Sequence, residues 1–277
     1  MKKLKIAALV LTYDEEINIS ACINSLHFVD QVFVFDSFSN DNTVKFAKEE
    51  GAKIFQRKFD NYASQRNEAL KIIPELFDWI IMIDADERIT TELEVEFLDI
   101  LRNDEFKNTM YCVRRKDILD GKWLKNSSIG SFTWFPRFFK NNSVIVEREI
   151  NEEYKTTGEI GHLKNQLLHY PFNKGIEWWF QRHNIYSSME AAKLDIERKK
   201  HYNVKGIFSK DPIKRRKAQK QLLYRIPFRP QIMFFTLFII RFGFLDGKEG
   251  LLYCKLRKTY EWMIDLKVKE AKKLIKK

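Results

Sequence analysis

The sequence predicts an α/β fold with a mostly parallel central sheet, followed by a basic, amphipathic helical extension at the C-terminus. Up to about residue 101, short apolar segments alternate with amphipathic ones, which is the pattern of right-handed βαβ units in a doubly wound sheet. Residues 196–277 contain 23 Lys and Arg against 7 Asp and Glu, whereas residues 1–195 are net acidic. With 277 residues, of which 44% are hydrophobic, the chain can bury a full core.

Four short apolar segments predict the parallel strands. The first is nearly continuous in apolar residues, as expected for a strand covered on both faces, and it leads into Asp14 rather than into a signal-peptide cleavage site. The second ends at Asp36, and the fourth runs into Asp84, Ala85 and Asp86. The predicted strands span residues 6–12, 32–35, 53–56 and 79–83.

Helix signals lie between these strands. We predict that Asp14 caps a helix reaching about residue 26, and that a second helix ends near Gly51, where a left-handed conformation is expected. A third helix is predicted over residues 62–73. Thr91 with Glu94 has the spacing of a capping box for a fourth helix, which ends near residue 101.

The pattern loosens beyond residue 103. A long helix is predicted over residues 176–200, and a basic cluster at 214–217 precedes an apolar run at 232–240 and a Lys-rich final helix. The short β-like segments before the long helix span residues 110–113, 134–139, 144–146 and 167–170.

Carboxylates follow three of the predicted strands, at the edge where an open α/β sheet binds ligands. Residues 14–16 follow the first strand, Asp36 the second, and Asp84 and Asp86 the fourth. Like charges gathered at one edge repel each other unless a cation or hydrogen-bond donors compensate. Mg²⁺ or Mn²⁺ prefers oxygen ligands and often binds through one or two carboxylates plus substrate phosphates, where it offsets charge on a departing diphosphate. The sequence therefore predicts a metal-assisted phosphate site.

These segments resemble the inverting family 2 glycosyltransferases, which have the Rossmann-like GT-A fold. The matching segments are residues 9–16, 34–43, 66–67 and 83–87. The resemblance implies that Asp36 contacts the nucleobase, that Asp84 lies near the ribose and that Asp86 holds the metal. The residues implied in nucleotide-sugar binding are Thr12, Tyr13, Glu15, Asp36, Arg66, Asp84, Ala85 and Asp86.

A narrower resemblance is to transferases that extend the lipopolysaccharide or lipooligosaccharide core. It rests on residues 114–115, 121–123, 136–139, 151–152 and 243–250. It implies a glycolipid or oligosaccharide acceptor, with Trp134 and Arg137 on the acceptor side. It favours Glu152 as the base that takes the acceptor proton. The other candidate bases are Glu147, Glu149 and Glu153, with Asp117 and Asp120 in reserve. The implied organisation is a donor half over residues 1–105, an acceptor half over 106–195, and the C-terminal extension over 196–277.

Other classes lack their usual signals. Neither a Gly-x-Gly-x-x-Gly segment nor a Walker lysine motif follows the first strand. The five His show no zinc spacing, so we predict structural roles for them. The three Cys are odd in number and far apart, which favours a reducing cytoplasm.

The C-terminal extension predicts contact with an anionic membrane surface. Its apolar run of nine residues is shorter than the roughly 20 that a membrane-spanning helix needs, and the flanking Lys and Arg suit binding in the headgroup plane. A helix packed on the catalytic domain with solvated charges is the alternative. Nucleic acid is not an expected partner, because no recognised nucleic-acid module accompanies the charge.

The sequence thus predicts a cytoplasmic, membrane-peripheral enzyme that moves a sugar from a nucleoside diphosphate donor to a glycolipid acceptor. Two alternatives remain at this point. One is a metal-dependent nucleotidyltransferase, which releases pyrophosphate from a nucleoside triphosphate. The other is a non-catalytic membrane adaptor built on a transferase-like fold.

Overall fold

The computed structural model describes residues 4–102, 108–147, 153–199 and 225–274, together with the single positions 206, 208, 218 and 222. The chain divides into two compact units. The first comprises Met1–Trp123 and Ile129–Asn173, and the second comprises Leu124–Ser128 and Lys174–Lys277. The boundary predicted between residues 195 and 196 lies inside a helix of the second unit, so the functional division of the chain stays a prediction.

The first unit begins with the four predicted parallel strands, which are confirmed. They stand in the order β3-β2-β1-β4, so that β1 is flanked by β2 and β4. Their bounds are β1, Ile6–Thr12; β2, Gln31–Asp36; β3, Lys53–Gln56; and β4, Trp79–Asp84. The predicted α/β fold class is therefore confirmed.

Both faces of this sheet are buried, which explains the unbroken apolar run in β1. Ala8 and Val10 belong to one core cluster, while Ala7 and Leu9 belong to the other. Successive side chains of a strand point to opposite faces, so a strand covered on both sides needs apolar residues at every position.

Three helices connect these strands and a fourth follows β4, and two of the four begin differently from the prediction. Asp14 has a left-handed backbone with φ of 51° and lies in a loop, so its predicted role as a helix cap is wrong. Thr90 rather than Thr91 caps the fourth helix, because its Oγ1 accepts from the amide of Leu93 at 3.2 Å. Gly51 has φ of 78°, as predicted. The helices are α1, Ile19–Asn24; α2, Thr43–Glu49; α3, Tyr62–Lys71; and α4, Thr91–Arg102.

The remaining strands extend the sheet beyond β4, mainly in antiparallel fashion. Strand β8 (Phe135–Lys140) pairs antiparallel with β4 and with β6 (Asn108–Leu119). Strand β11 (Glu159–His169) runs parallel to β6, and the short β5 (Glu87–Arg88) pairs antiparallel with β11 as the last strand of the sheet. Strand β7 pairs with β6, and β9 and β10 form a separate hairpin. The bounds are β5, Glu87–Arg88; β6, Asn108–Leu119; β7, Lys122–Trp123; β8, Phe135–Lys140; β9, Val144–Glu147; β10, Glu153–Thr156; and β11, Glu159–His169.

The second unit is helical where it is described. Helix α5 (Gly175–Lys199) packs on α7 (Gly247–Leu274) through a small apolar cluster that contains Leu194 and Ile264. In the described part of the chain, no single helix has both the length and the apolar composition to cross a membrane, but Arg229–Ile240 and Gly243–Lys273, bent by 74°, have them as a pair. The elements are α5, Gly175–Lys199; α6, Arg229–Phe235; a π-helical turn, Thr236–Ile240; a 3₁₀ turn, Gly243–Asp246; and α7, Gly247–Leu274.

Candidate active site

Three of the predicted carboxylates lie at one edge of the sheet. In the register of the strands, Asp36 of β2 stands opposite Thr12 of β1, and Asp84 of β4 stands opposite Leu11 of β1. Because only β1 separates β2 from β4, the backbones of Asp36 and Asp84 are two strand spacings apart, about 10 Å. Asp86 follows two residues after Asp84 at the same edge. The sheet therefore brings together the carboxylates that the sequence singled out.

The loops after β1 and β2 are tied together by hydrogen bonds. The Asp14 carboxylate accepts from the Asn40 amide at 2.7 Å, and the Asp14 amide donates to Ser39 Oγ at 2.8 Å. The Glu15 amide donates to Thr43 Oγ1 at 2.7 Å. These bonds account for the left-handed backbone of Asp14, which turns the first loop toward the second.

Asp36 is fully buried and acts within the second loop. Its carboxylate accepts from the Ser39 amide at 3.0 Å and from Gln56 Nε2 at 2.9 Å, and Ser39 Oγ donates to its other oxygen. Buried polar oxygens need hydrogen-bond donors, and these three supply them. Asp36 therefore holds the shape of the loop in which the Phe38 ring is exposed.

Asp84 is ionised by two arginines from different elements. Arg66 of α3 donates to one oxygen at 3.0 Å, and Arg137 of β8 donates to the other at 2.9 Å. Burial disfavours the charged carboxylate, but the two guanidinium groups outweigh burial and hold the pKa of Asp84 well below its usual range. Asp84 is thus a fixed anionic acceptor at the sheet edge.

Arg137, predicted on the acceptor side, lies behind this edge and is almost fully buried. Its Nε and one terminal nitrogen bind both oxygens of Glu87, at 2.8 and 2.9 Å. Burial disfavours its charge, but the nearby Glu87 and Asp84 carboxylates raise the pKa of Arg137 above its usual range. The forked guanidinium therefore bridges two carboxylates.

Asp86 contacts His169, one of the five histidines for which a structural role is predicted. His169, at the end of β11, has Nε2 at 3.4 Å from Asp86 and Nδ1 at 2.7 Å from Asp117. Burial and the Arg115 charge disfavour the imidazolium, but Asp86 and Asp117 outweigh them and raise the pKa of His169 to about 9. The sequence does not reveal this pairing, because His169 is distant from Asp86 in the chain. The two residues come together only when β11 pairs with β5.

The residues present fit a divalent cation in a limited way. In the described ranges, no group of three or more His, Cys, Asp and Glu is arranged to hold a metal ion. Asp86 and His169 nevertheless combine an oxygen ligand with an imidazole nitrogen. Asp117 accepts from Nδ1 on the far side of the ring, which orients Nε2 toward Asp86. A cation at this pair would need the phosphates of the substrate to complete its ligands.

The other predicted residues are placed as follows. Thr12 and Ala85 are buried, Tyr13 is exposed, and Thr12 Oγ1 has no hydrogen-bond partner among the described residues. The half-exposed Trp134 ring has the Arg114 guanidinium at 4.9 Å and the His162 ring at 4.6 Å. Glu152, the predicted base, and the neighbouring Asn151 lie outside the described residues.

Comparison with known proteins identifies the class. Residues 8–163 match the family model described as Glycosyl transferase family 2, and the chain belongs to that family. It is similar to an uncharacterized glycosyltransferase of Rickettsia felis, with 27% identity over 263 residues covering 90% of this chain and 83% of the relative. A glycosyltransferase of Rickettsia typhi, also uncharacterized, is 28% identical over 219 residues, which cover 72% of this chain and 71% of the relative.

Solved structures show more distant likenesses. One is glucosyl-3-phosphoglycerate synthase from Mycobacterium tuberculosis in complex with Mn²⁺ and UDP, with 19% identity and a TM-score of 0.35 over 42% of this chain and 45% of that one. Another is S. aureus TarS 1–349, with 15% identity and a TM-score of 0.44 over 94% of this chain and 92% of that one. The described chain thus spans less than half of the synthase. These similarities are too remote to transfer ligands or residue roles.

Proposed function

We propose that this protein is an inverting glycosyltransferase that moves a sugar from a nucleoside diphosphate sugar, preferably a UDP-sugar, to an acceptor hydroxyl. The observation that carries the proposal is the meeting of Asp36, Asp84 and Asp86 at one sheet edge in a chain of glycosyl transferase family 2. Ligands bind beyond the carboxyl ends of strands in open α/β sheets, so this edge is the donor site.

The geometry supports specific roles on the nucleoside side. Asp84, kept ionised by Arg66 and Arg137, is suited to accept hydrogen bonds from ribose hydroxyls. The Thr12 hydroxyl is buried at the end of β1 and has hydrogen-bonding capacity left for a ligand. Asp36 keeps the base-binding loop in shape through Ser39 and Gln56.

Asp86 and His169 are the residues that would hold Mg²⁺ or Mn²⁺ together with the donor diphosphate. When bound, such a cation supplies positive charge that offsets the charge on the leaving diphosphate. The contact of Nδ1 with Asp117 sets the ring so that Nε2 faces Asp86. His169 must lose its Nε2 proton to ligate a cation, so cation binding at this pair should weaken as the pH falls below about 9.

The acceptor side rests on the motifs rather than on described geometry. We propose Glu152 as the base that takes the proton from the acceptor hydroxyl while the hydroxyl oxygen attacks the anomeric carbon and the nucleoside diphosphate leaves. Trp134 offers an aromatic platform for a sugar ring. A lipopolysaccharide-core glycolipid is the proposed acceptor, reached from the cytoplasmic face of the membrane through the basic C-terminal extension.

A thermal-shift series tests the donor class. The purified full chain is heated with UDP-, GDP- and dTDP-sugars, each with and without Mn²⁺. We expect a UDP-sugar to raise Tm more with Mn²⁺ than without it, because the cation and the diphosphate bind together. Equal stabilisation with and without the cation would contradict the metal assignment.

Product analysis separates this reaction from the alternatives. A sugar transferase releases UDP from a UDP-sugar, slowly to water and faster with an acceptor. A nucleotidyltransferase instead releases pyrophosphate from UTP, and an adaptor releases neither. Pyrophosphate release without UDP release would reject the proposed reaction.

A further inference from the structure

The second unit carries a concentration of exposed apolar side chains on a short segment. Six large residues within residues 228–245 are between 45 and 72% exposed: Phe228, Phe235, Ile240, Phe242, Phe244 and Leu245. We call this set the 228–245 apolar surface. Single exposed hydrophobic residues are ordinary on soluble proteins, but several that lie close together mark an interaction site. Within this set, the ring centroids of Phe242 and Phe244 are 6.0 Å apart.

Two of these phenylalanines stand in strained backbone conformations. Phe228 has φ of 59° and Phe242 has φ of 58°, in the left-handed region that a bulky residue rarely adopts. Asn or Gly would fit either position with less strain. Strain of this kind persists where the surrounding structure imposes it, and it concentrates at functional positions.

Contacts of buried side chains anchor the same segment at both ends. Arg229 is almost fully buried and reaches Glu261 of α7 at 2.9 Å, which fixes the start of α6. At the other end, Asp246 accepts from the amides of Asn126 and Ser127 at 2.9 and 2.7 Å, and from their side chains. The apolar residues are therefore displayed on a fixed frame.

Charge indicates what covers this surface. Residues 225–274 contain 11 Lys and Arg against 5 Asp and Glu, and the nearly fully exposed Lys248 follows shortly after Leu245. An anionic bilayer satisfies both features, because its acyl boundary takes apolar side chains while its headgroups attract Lys and Arg. A second copy of the chain would instead bring two positively charged segments together.

We propose that the 228–245 apolar surface inserts into the headgroup–acyl boundary of an anionic phospholipid bilayer and is the docking surface of this protein. The inference deepens the peripheral location proposed above and rests on it. Insertion of the apolar side chains provides the docking, and the attraction of Lys and Arg to the headgroups strengthens it. The basic residues alone are not the docking surface.

Vesicle flotation tests the inference with a pair of matched double variants. The test variant is Phe228→Asn with Phe242→Asn, which removes two exposed rings at positions where Asn relieves strain. The control is Leu76→Asn with Val95→Asn, which changes two residues of the first unit that are 54 and 50% exposed. Each chain is floated with vesicles of phosphatidylcholine alone and of phosphatidylcholine mixed with phosphatidylglycerol.

We expect the wild type and the control to float with the mixed vesicles. The partition coefficient of the test variant onto these vesicles should be lower by about tenfold or more. Undiminished flotation of the test variant would overturn the inference, as would a wild type that does not bind the mixed vesicles. A wild-type dimer in size exclusion that the test variant converts to a monomer would also overturn it, because the surface would then cover itself.

UDP release is measured in parallel on the same proteins without vesicles. Phe228 and Phe242 are not among the residues assigned to the donor site, so the test variant should release UDP as the wild type does. Loss of flotation with UDP release intact supports the inference. Loss of flotation in a protein that never releases UDP leaves the docking surface supported and rejects the proposed reaction.

Discussion

Two regions of the molecule treat their side chains in opposite ways. One is the sheet edge with Asp84, Asp86 and Glu87, and the other is the 228–245 apolar surface. At the sheet edge, each carboxylate has a cationic partner from the same chain: Arg66 and Arg137 for Asp84, Arg137 for Glu87, and His169 for Asp86. On the apolar surface, bulky side chains remain open to solvent on a frame that is itself well bonded. Buried charge demands internal partners, whereas exposed apolar area demands an external one.

Two histidines also differ between the units, in the direction in which their pKa is shifted. His169 lies between Asp86 and Asp117, and its pKa is raised to about 9. His183 stacks on Trp179 with ring centroids 3.7 Å apart. Burial, with smaller effects of Arg257 and Arg182, outweighs its hydrogen bond to the Trp179 carbonyl and lowers the pKa of His183 to about 4. The same side chain is thus favoured in its charged form in the first unit and in its neutral form in the second.

The largest effect is expected from Asp86→Ala. Loss of the proposed cation ligand should reduce UDP release by about 10³-fold or more, because the charge of the leaving diphosphate is then poorly offset. Asp99→Ala, which removes an exposed carboxylate of α4, is the control and should leave turnover unchanged. Initial rates with a UDP-sugar and Mn²⁺ measure the difference, and full turnover by Asp86→Ala would reject the assigned role.

The next effect is on stability. Arg137→Met removes the cation shared by Asp84 and Glu87 and should lower the free energy of unfolding by about 3–5 kcal/mol, because it leaves a buried carboxylate poorly compensated. Arg102→Met breaks only an exposed pair with Asp99 and should cost about 1 kcal/mol or less. Urea titrations of both variants give the comparison, and similar losses would show that the buried pairs contribute no more than surface ones.

An intermediate effect is expected for His183 on acidification. Its pKa is about 4 when folded and about 6.5 when unfolded, so the unfolded chain binds more protons between these values and stability falls as the pH drops through this window. The loss attributable to His183 should be about 3 kcal/mol between pH 7 and pH 4. His183→Phe keeps an aromatic ring on Trp179 and should lose less stability over that range. Parallel pH dependence of the two proteins in urea would contradict the assignment.

The smallest effect tests the strain at the apolar surface. Phe242→Asn should raise the free energy of unfolding by about 0.5–1 kcal/mol, because Asn accepts the left-handed conformation more readily than Phe. Phe235 is similarly exposed but ends a regular helix, so Phe235→Asn should be neutral or slightly destabilising. Opposite signs in thermal unfolding would confirm that strain, and not exposure alone, distinguishes the two positions.

Local sequence patterns were sufficient to predict the parallel strands and the acidic residues that end them. Apolar runs such as 6–12 and 79–83 are local patterns, and the carboxyl ends of parallel strands meet at one edge, so Asp36, Asp84 and Asp86 could be brought together without coordinates. Helix starts were less predictable. Asp14 and Thr91 have the right residue types for caps, but contacts with the second loop and the neighbouring Thr90 decided the outcome.

The cationic partners of these carboxylates could not be predicted from the sequence. Arg66 and Arg137 reach Asp84 from positions 18 and 53 residues away in the chain, and His169 reaches Asp86 from another strand. The exposure of Phe228 and Phe242 could not be predicted either, because the sequence does not show whether an apolar side chain is buried or exposed. Local periodicity specifies elements, whereas the pairing of distant side chains follows from how those elements pack.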